Sequence, residues 1–155
     1  MSAAVVMLTP MKRSALIAAG AVLLGLVTAT NAVAESAPGC GPVTQIGSTA
    51  YIGDNGQRWA SVKQFKGCGK NWAYIYTWDS THSAGAPYTP ELVVIEKWAS
   101  TSAREPYGHA GLRNGGYRQQ ELWSGGTDTL STCTSAYAEW NSGAMTYRAR
   151  TDIRC

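Results

Sequence analysis

The stretch Asn71-Trp72-Ala73-Tyr74-Ile75-Tyr76-Thr77-Trp78-Asp79 decides the reading of this chain. Its four large rings, Trp72, Tyr74, Tyr76 and Trp78, fall at every second position. Successive side chains of a strand point to opposite faces, so the segment predicts a β-strand with one wholly aromatic face. Ala73, Ile75 and Thr77 occupy the other face, and no charge interrupts either before Asp79. Two readings of the rings follow. Either the strand is central and buried on both sides, or Trp72, Tyr74, Tyr76 and Trp78 form a platform for a ligand.

Outward from this strand, six further segments predict strands: residues 43–52, 59–66, 92–98, 117–123, 132–140 and 144–155. Asp54-Asn55-Gly56 marks a hairpin turn, and Gly67-Cys68-Gly69 a tight connection into the aromatic strand. Residues 80–90 read as a polar loop barred from regular structure by Pro87 and Pro90, and residues 99–116 as the least regular stretch. In the last segment Met145, Tyr147, Ala149, Thr151, Ile153 and Cys155 alternate with Thr146, Arg148, Arg150, Asp152 and Arg154. That pattern implies a core face and a solvent face. About seven strands and no helical periodicity predict an all-β, antiparallel β-sandwich or open barrel.

Residues 1–34 read as a leader rather than as part of this domain. Met11-Lys12-Arg13 is a short basic region, residues 15–27 are an uncharged apolar run, and Ala32-Val33-Ala34 is a small-x-small cleavage site. Met11 is an alternative translation start. Cleavage after Ala34 would leave one domain, residues 35–155, in an extracellular location, with no membrane association once the leader is gone. Lys12 and Arg13 are two of the 13 basic residues, so residues 35–155 carry 11 basic against 10 acidic groups. A near-neutral domain lacks the clustered positive charge that nucleic-acid binding needs.

Four cysteines, all within residues 35–155, read as two disulfides in an exported chain. Hairpin geometry about residues 53–56 brings Cys40 opposite residue 69, one place from Cys68. The turn at Asn141-Ser142-Gly143 brings Cys133 opposite about residue 151, so pairing with Cys155 needs a bulge or a curled terminus. The expected bonds are Cys40–Cys68 and Cys133–Cys155. No two cysteines are close enough in sequence to suggest a metal site, and no phosphate-binding or dinucleotide glycine pattern points to a cofactor.

The run Val62-Lys63-Gln64-Phe65-Lys66-Gly67-Cys68-Gly69-Lys70-Asn71-Trp72-Ala73 resembles the Cys-x-x-x-Trp-Ala signature of a family of small secreted actinobacterial proteins of unknown function. In that family a strand runs into the cysteine and an earlier cysteine precedes it. The resemblance spans about a dozen residues and implies secretion and a structural disulfide. It carries no activity with it.

Catalytic candidates are few. His82 and His109 are the only histidines, and Glu96 is the carboxylate best placed on a strand. A ribonuclease-type site would cast Glu96 as base, His109 as acid and Arg104 or Arg113 against phosphate, but no spacing is diagnostic of it. No Gly-x-Ser-x-Gly elbow occurs, and Glu96, Glu121 and Glu139 fall on different predicted strands. The balance falls against an enzyme. The expectation is a secreted, non-catalytic binding domain for an extracellular protein or polysaccharide, using exposed aromatics and the two loops. An inhibitor of a secreted hydrolase is the second reading, and a small ribonuclease-type hydrolase the third.

Overall fold

Alternation carries through from sequence to sheet in the computed structural model, which describes residues 35–155. The segment 1–34, read above as a leader, lies outside the described residues. Ten strands form: β1 (Ser36–Ala37), β2 (Gly41–Pro42), β3 (Thr44–Ile52), β4 (Ala60–Gly67), β5 (Lys70–Thr77), β6 (Thr89–Trp98), β7 (Gly108–Asn114), β8 (Glu121–Trp123), β9 (Cys133–Asn141) and β10 (Thr146–Arg150). One helical turn, α1 (Asp79–Ser83), follows the aromatic strand. The strands make two four-stranded antiparallel sheets, ordered β3-β4-β5-β8 and β10-β9-β6-β7, with β1-β2 as a small added ribbon. The fold is therefore a β-sandwich rather than an open barrel. β5 is an inner strand, paired with β4 on one side and β8 on the other.

The sheets meet through the residues between the rings. Val62, Ala73 and Ile75 of the first sheet pack with Val93, Ile95, Ala136 and Ala138 of the second, and all are fully buried. Polar ties cross the core at both ends. The Trp140 indole N–H donates to Thr77 Oγ1 at 3.1 Å, and Gln64 Nε2 donates to Thr134 Oγ1 at 2.7 Å.

Both expected disulfides are present, with Cα separations of 5.8 Å for Cys40–Cys68 and 3.9 Å for Cys133–Cys155. Each closes a loop whose chain-entropy effect is roughly 3 kcal/mol. Cys68 and Gly69 occupy the two-residue turn between Gly67 and Lys70, both with positive φ, as a primed hairpin turn requires. The register gap foreseen at Cys133 closes in two steps. The β9–β10 turn lies further along than Asn141-Ser142-Gly143, since Thr146 pairs Asn141. One extra residue then enters between the Ala149↔Ala138 pair and the Thr134↔Arg154 bridge. At that point the Thr151 hydroxyl takes the Ala136 N–H at 2.9 Å in place of a backbone carbonyl.

Four expectations need correction. Residues 80–90, expected to be barred from regular structure, hold most of α1 and the start of β6, where Pro90 pairs Trp140 ahead of a bulge and ahead of the first β6–β7 pair. Residues 99–116 contain the edge strand β7, whose glycines and exposed residues hide its alternation. Only Glu121–Trp123 of the expected strand 117–123 is extended in the sheet, because Arg118 at φ 53 turns the chain before it. Met145, expected on the core face, is 60% exposed in the turn ahead of β10.

Gly47 and Ser48 lie in a bulge of β3, between Ile46 and Ala50. It aims the Ser48 N–H and hydroxyl at Asp152 Oδ1, at 2.6 and 2.8 Å, tying the edges of the two sheets. A Cβ on Gly47 would come within 2.5 Å of the same oxygen, and φ there is +77°. Desolvation opposes the Asp152 charge, but the Ser48 hydrogen bonds and Arg154 outweigh it and hold the carboxyl below the ordinary aspartate value. A group with a depressed folded pKa stabilises fully above its unfolded pKa, and that contribution is lost as pH falls through the folded value. Asp152→Asn should therefore lower the urea midpoint at about pH 7, and the gap from the parent should close near about pH 2. A gap that persists unchanged in acid would contradict this tie.

Candidate functional site

The β5 rings Trp72, Tyr74 and Tyr76 cluster with Phe65 and Trp123 on the outer face of the first sheet, whereas Trp78, expected in the same strand, lies just beyond its end as the residue that caps α1. Trp72 and Tyr74 are 7% and 5% exposed, whereas Tyr76 and Trp78 are half-buried. The cause is a strap formed by β1, β2 and Val43. Ala37, Val43 and Cys40 pack against Phe65, Trp72 and Tyr74, held by the Cys40–Cys68 bond and an ion pair between Glu35 and Lys63. Beside the strap a cleft of about 470 Å³ opens, walled by Tyr74, Tyr76 and Trp123 with Lys63 and Glu121. The Tyr74 hydroxyl donates to Glu121 Oε2 at 3.2 Å, and burial, with the Glu121 charge, drives its pKa far upward. The Tyr76 hydroxyl donates to Asp79 Oδ1 at 2.6 Å, and that bond, with burial, pushes it up to about 12. Both phenols are thus neutral donors at ordinary pH.

Trp78 belongs to a different feature, at the end of the sandwich where β3 turns into β4. It lines a groove of about 510 Å³ with Arg58, Trp59, Ser80, Thr81 and Ala86. A second hollow of about 240 Å³ shares Trp59, Thr81 and Ala86 and extends to Pro87, Trp140 and Ser142. The indoles are braced. Trp59 stacks on Trp140 at 5.6 Å and meets Tyr147 edge-on at 4.9 Å, while Trp78 meets Tyr51 edge-on at 6.0 Å. Arg58 lies 3.9 Å above the Tyr51 ring and is the only charged residue lining the groove and its extension. Sequence reasoning named Trp78 and the 80–90 loop but missed Trp59. Three separate loops assemble this groove, and no local pattern signals their meeting.

The catalytic candidates divide. His109 stands opposite Glu96 across the β6–β7 pair, with Nε2 4.0 Å from Glu96 Oε1. His82 is elsewhere: its Nδ1 is 2.5 Å from the Tyr88 hydroxyl. That hydroxyl donates to the Arg118 carbonyl at 3.1 Å, so His82 Nδ1–H is the donor between them. Neither Arg104 nor Arg113 bonds Glu96. Arg150 of β10 does, through Nε to Oε2 and through Nη2 to Oε1 at 2.8 Å. The Ser135 hydroxyl, itself bonded by the Trp98 indole N–H at 2.9 Å, adds a bond to Oε2 at 2.8 Å. The Arg150 guanidinium lies over Trp98 and Tyr137, at 5.0 and 5.4 Å from their ring centres.

A general base must bring its oxygen to a substrate proton. Glu96 is 2% exposed, and its oxygens already accept three hydrogen bonds. The arrangement anchors β10 and β9 to β6, and its geometry is that of a structural pair. Among the described residues no three of His, Cys, Asp and Glu cluster in a way that could hold a metal ion, and no helix is long and apolar enough to cross a membrane. Comparison with protein-family models, with characterised proteins and with solved structures finds no match.

Glu96 is buried while its partner Arg150 is 42% exposed, so removing the arginine leaves a buried carboxylate without its counter-charge. Arg150→Met should lower unfolding stability by about 3 kcal/mol in urea titration. His109→Ala, which removes a side chain that is 55% exposed, should stay within about 0.5 kcal/mol of the parent. A neutral Arg150→Met variant would remove the structural role given to Glu96.

Proposed function

We propose that this chain is a secreted, non-catalytic binding domain, and that its groove at Trp59 and Trp78 takes a segment of polysaccharide. The two disulfides support an oxidising, extracellular setting. The observation that carries the ligand class is the groove itself: indole walls, a rim of Gln57, Ser80, Thr81 and Ser142, and a single charge at Arg58. Flat apolar rings suit the apolar faces of sugar rings, and hydroxyl and amide groups at the rim suit the sugar hydroxyls. A trough extending through both hollows suits a chain rather than a single compact molecule. Bracing by Trp140, Tyr147 and Tyr51 holds the rings before a ligand arrives, so little side-chain ordering opposes binding.

Affinity electrophoresis through gels containing hydroxyethylcellulose, glycol chitin or a soluble β-glucan tests this reading. At least one polymer should retard the parent domain. Trp78→Ala should weaken that retardation about tenfold or more with an unchanged urea midpoint. Tyr117→Ala, which removes a ring 71% exposed and outside the groove lining, should behave as the parent. A parent that no polymer retards, or a Trp78→Ala variant retarded equally, would overturn it.

A further inference from the structure

Asparagine followed by glycine is the pairing most open to self-modification. Glycine has no side chain to obstruct its own backbone nitrogen when that nitrogen attacks the preceding carboxamide. The described residues hold two such pairs, Asn55-Gly56 and Asn114-Gly115. The other asparagines among them are shielded. Asn71 is buried and followed by Trp72. Asn141 precedes a serine, its Nδ2 donates to Glu91 and Thr146, and its Oδ1 accepts from the Gly143 N–H.

The fold treats the two Asn-Gly pairs differently. Asn114 closes β7, paired with Leu92, and the Gly115 N–H that would have to attack donates to the Glu91 carbonyl at 3.3 Å. Gly115 is also packed: a Cβ there would lie 2.2 Å from the Pro90 carbonyl oxygen, so the backbone has no room to swing. Asn55 and Gly56 are instead the two central residues of the turn between β3 and β4, with φ of 47° and 80°. The Gln57 N–H donates to the Asp54 carbonyl at 2.8 Å across them, as in a type I′ turn. Both residues are exposed, and nothing lies within 4 Å of where a Gly56 Cβ would stand. Asn55 uses only its backbone N–H, on Asp54 Oδ1 at 2.8 Å, so its carboxamide and the Gly56 N–H are both free among the described residues. Turning the carboxamide onto the Gly56 nitrogen breaks one solvent-exposed bond, Gln57 to Asp54, which water replaces at little cost.

We propose that Asn55 deamidates spontaneously in the folded protein. The Gly56 backbone nitrogen attacks Asn55 Cγ. The N–Cγ bond forms, the Cγ–Nδ2 bond breaks, and ammonia leaves with the proton of the Gly56 N–H. Water then opens the succinimide ring at either carbonyl. One product is an aspartyl residue; the other is an isoaspartyl residue, whose main chain runs through Cγ and is longer by a methylene. Each carries a carboxylate in place of a neutral amide. Gln57 and Arg58 follow directly and line the aromatic groove, so the modification alters charge and main-chain path at its rim. The site is independent of what the groove binds.

Ageing the folded, oxidised domain in warm, mildly alkaline buffer, followed by peptide mapping with mass spectrometry, tests this. The Asn55 peptide should gain about 1 Da and resolve into two products, of which the isoaspartyl one accepts a methyl group from an isoaspartyl methyltransferase. Asn114 in the same sample should convert at least about tenfold more slowly. In the reduced chain in urea the two should convert at similar rates. An Asn55 peptide unchanged in the folded domain, Asn114 converting as fast as Asn55 there, or a gap that persists in urea would each overturn the proposal.

Discussion

A sheet with apolar groups on both faces has to cover the second face, and the Cys40–Cys68 bond is what allows this one to do so. The inner face of β5 is closed by the opposing sheet. Its outer face carries Trp72, Tyr74 and Tyr76 and lies beside Phe65 and Trp123. No third layer is present among the described residues, only a short strap whose two strands have two residues each. So small an element has little contact area with which to hold itself in place, and a covalent tie at the β4–β5 turn keeps it over Trp72. The strap ends before Trp78, and that boundary separates rings that serve as core from rings left open to solvent.

The same sandwich leaves its two ends chemically unlike. At the β3–β4 end the aromatic stack of Tyr88, Trp140 and Trp59 runs from the core outward to the groove, with Tyr88 and Trp140 ring centres 5.6 Å apart. At the β4–β5 end, carboxamides and threonines replace apolar side chains between the sheets. In the middle Ala73, Ala136 and Ala138 let the two sheets approach around Val62, Ile75, Val93 and Ile95. Only the β3–β4 end opens its rings to solvent, since Asn71, Gln64 and Thr134 at the other end are buried. The outer face of the second sheet takes no part in this division, since its Glu96 carboxylate is enclosed by Arg150 and Ser135.

The parts legible from sequence are those governed by local periodicity. The alternation that begins at Trp72 defines β5 and its two faces, although the strand ends at Thr77 and not at Trp78, and turn positions place Cys40 near Cys68. What stayed hidden depends on strand order. Arg150 reaches Glu96 because β9 lies between β6 and β10, and a solvent-face arginine in the last strand carries no mark of that neighbour. Trp59, at the edge of a predicted strand, gives no sign that three loops will meet around it. β7 escaped notice because an edge strand with glycines and exposed side chains has no buried face to impose a pattern. The buried polar cluster at Asn71 was hidden for another reason: an asparagine beside an aromatic run reads as a strand boundary, although alternation places it inward with Ala73 and Ile75.

The strap divides the rings of the run from Trp72 to Trp78 into a covered set and an open one. Hydroxyl-radical footprinting read by mass spectrometry measures that division in the folded, oxidised protein. Trp78 and Trp59 should label readily while Trp72, Trp98 and Trp140 stay protected, and selective loss of the Cys40–Cys68 bond should raise labelling at Trp72 alone among the protected three. Trp72 labelling as fast as Trp78 in the oxidised protein would contradict the account.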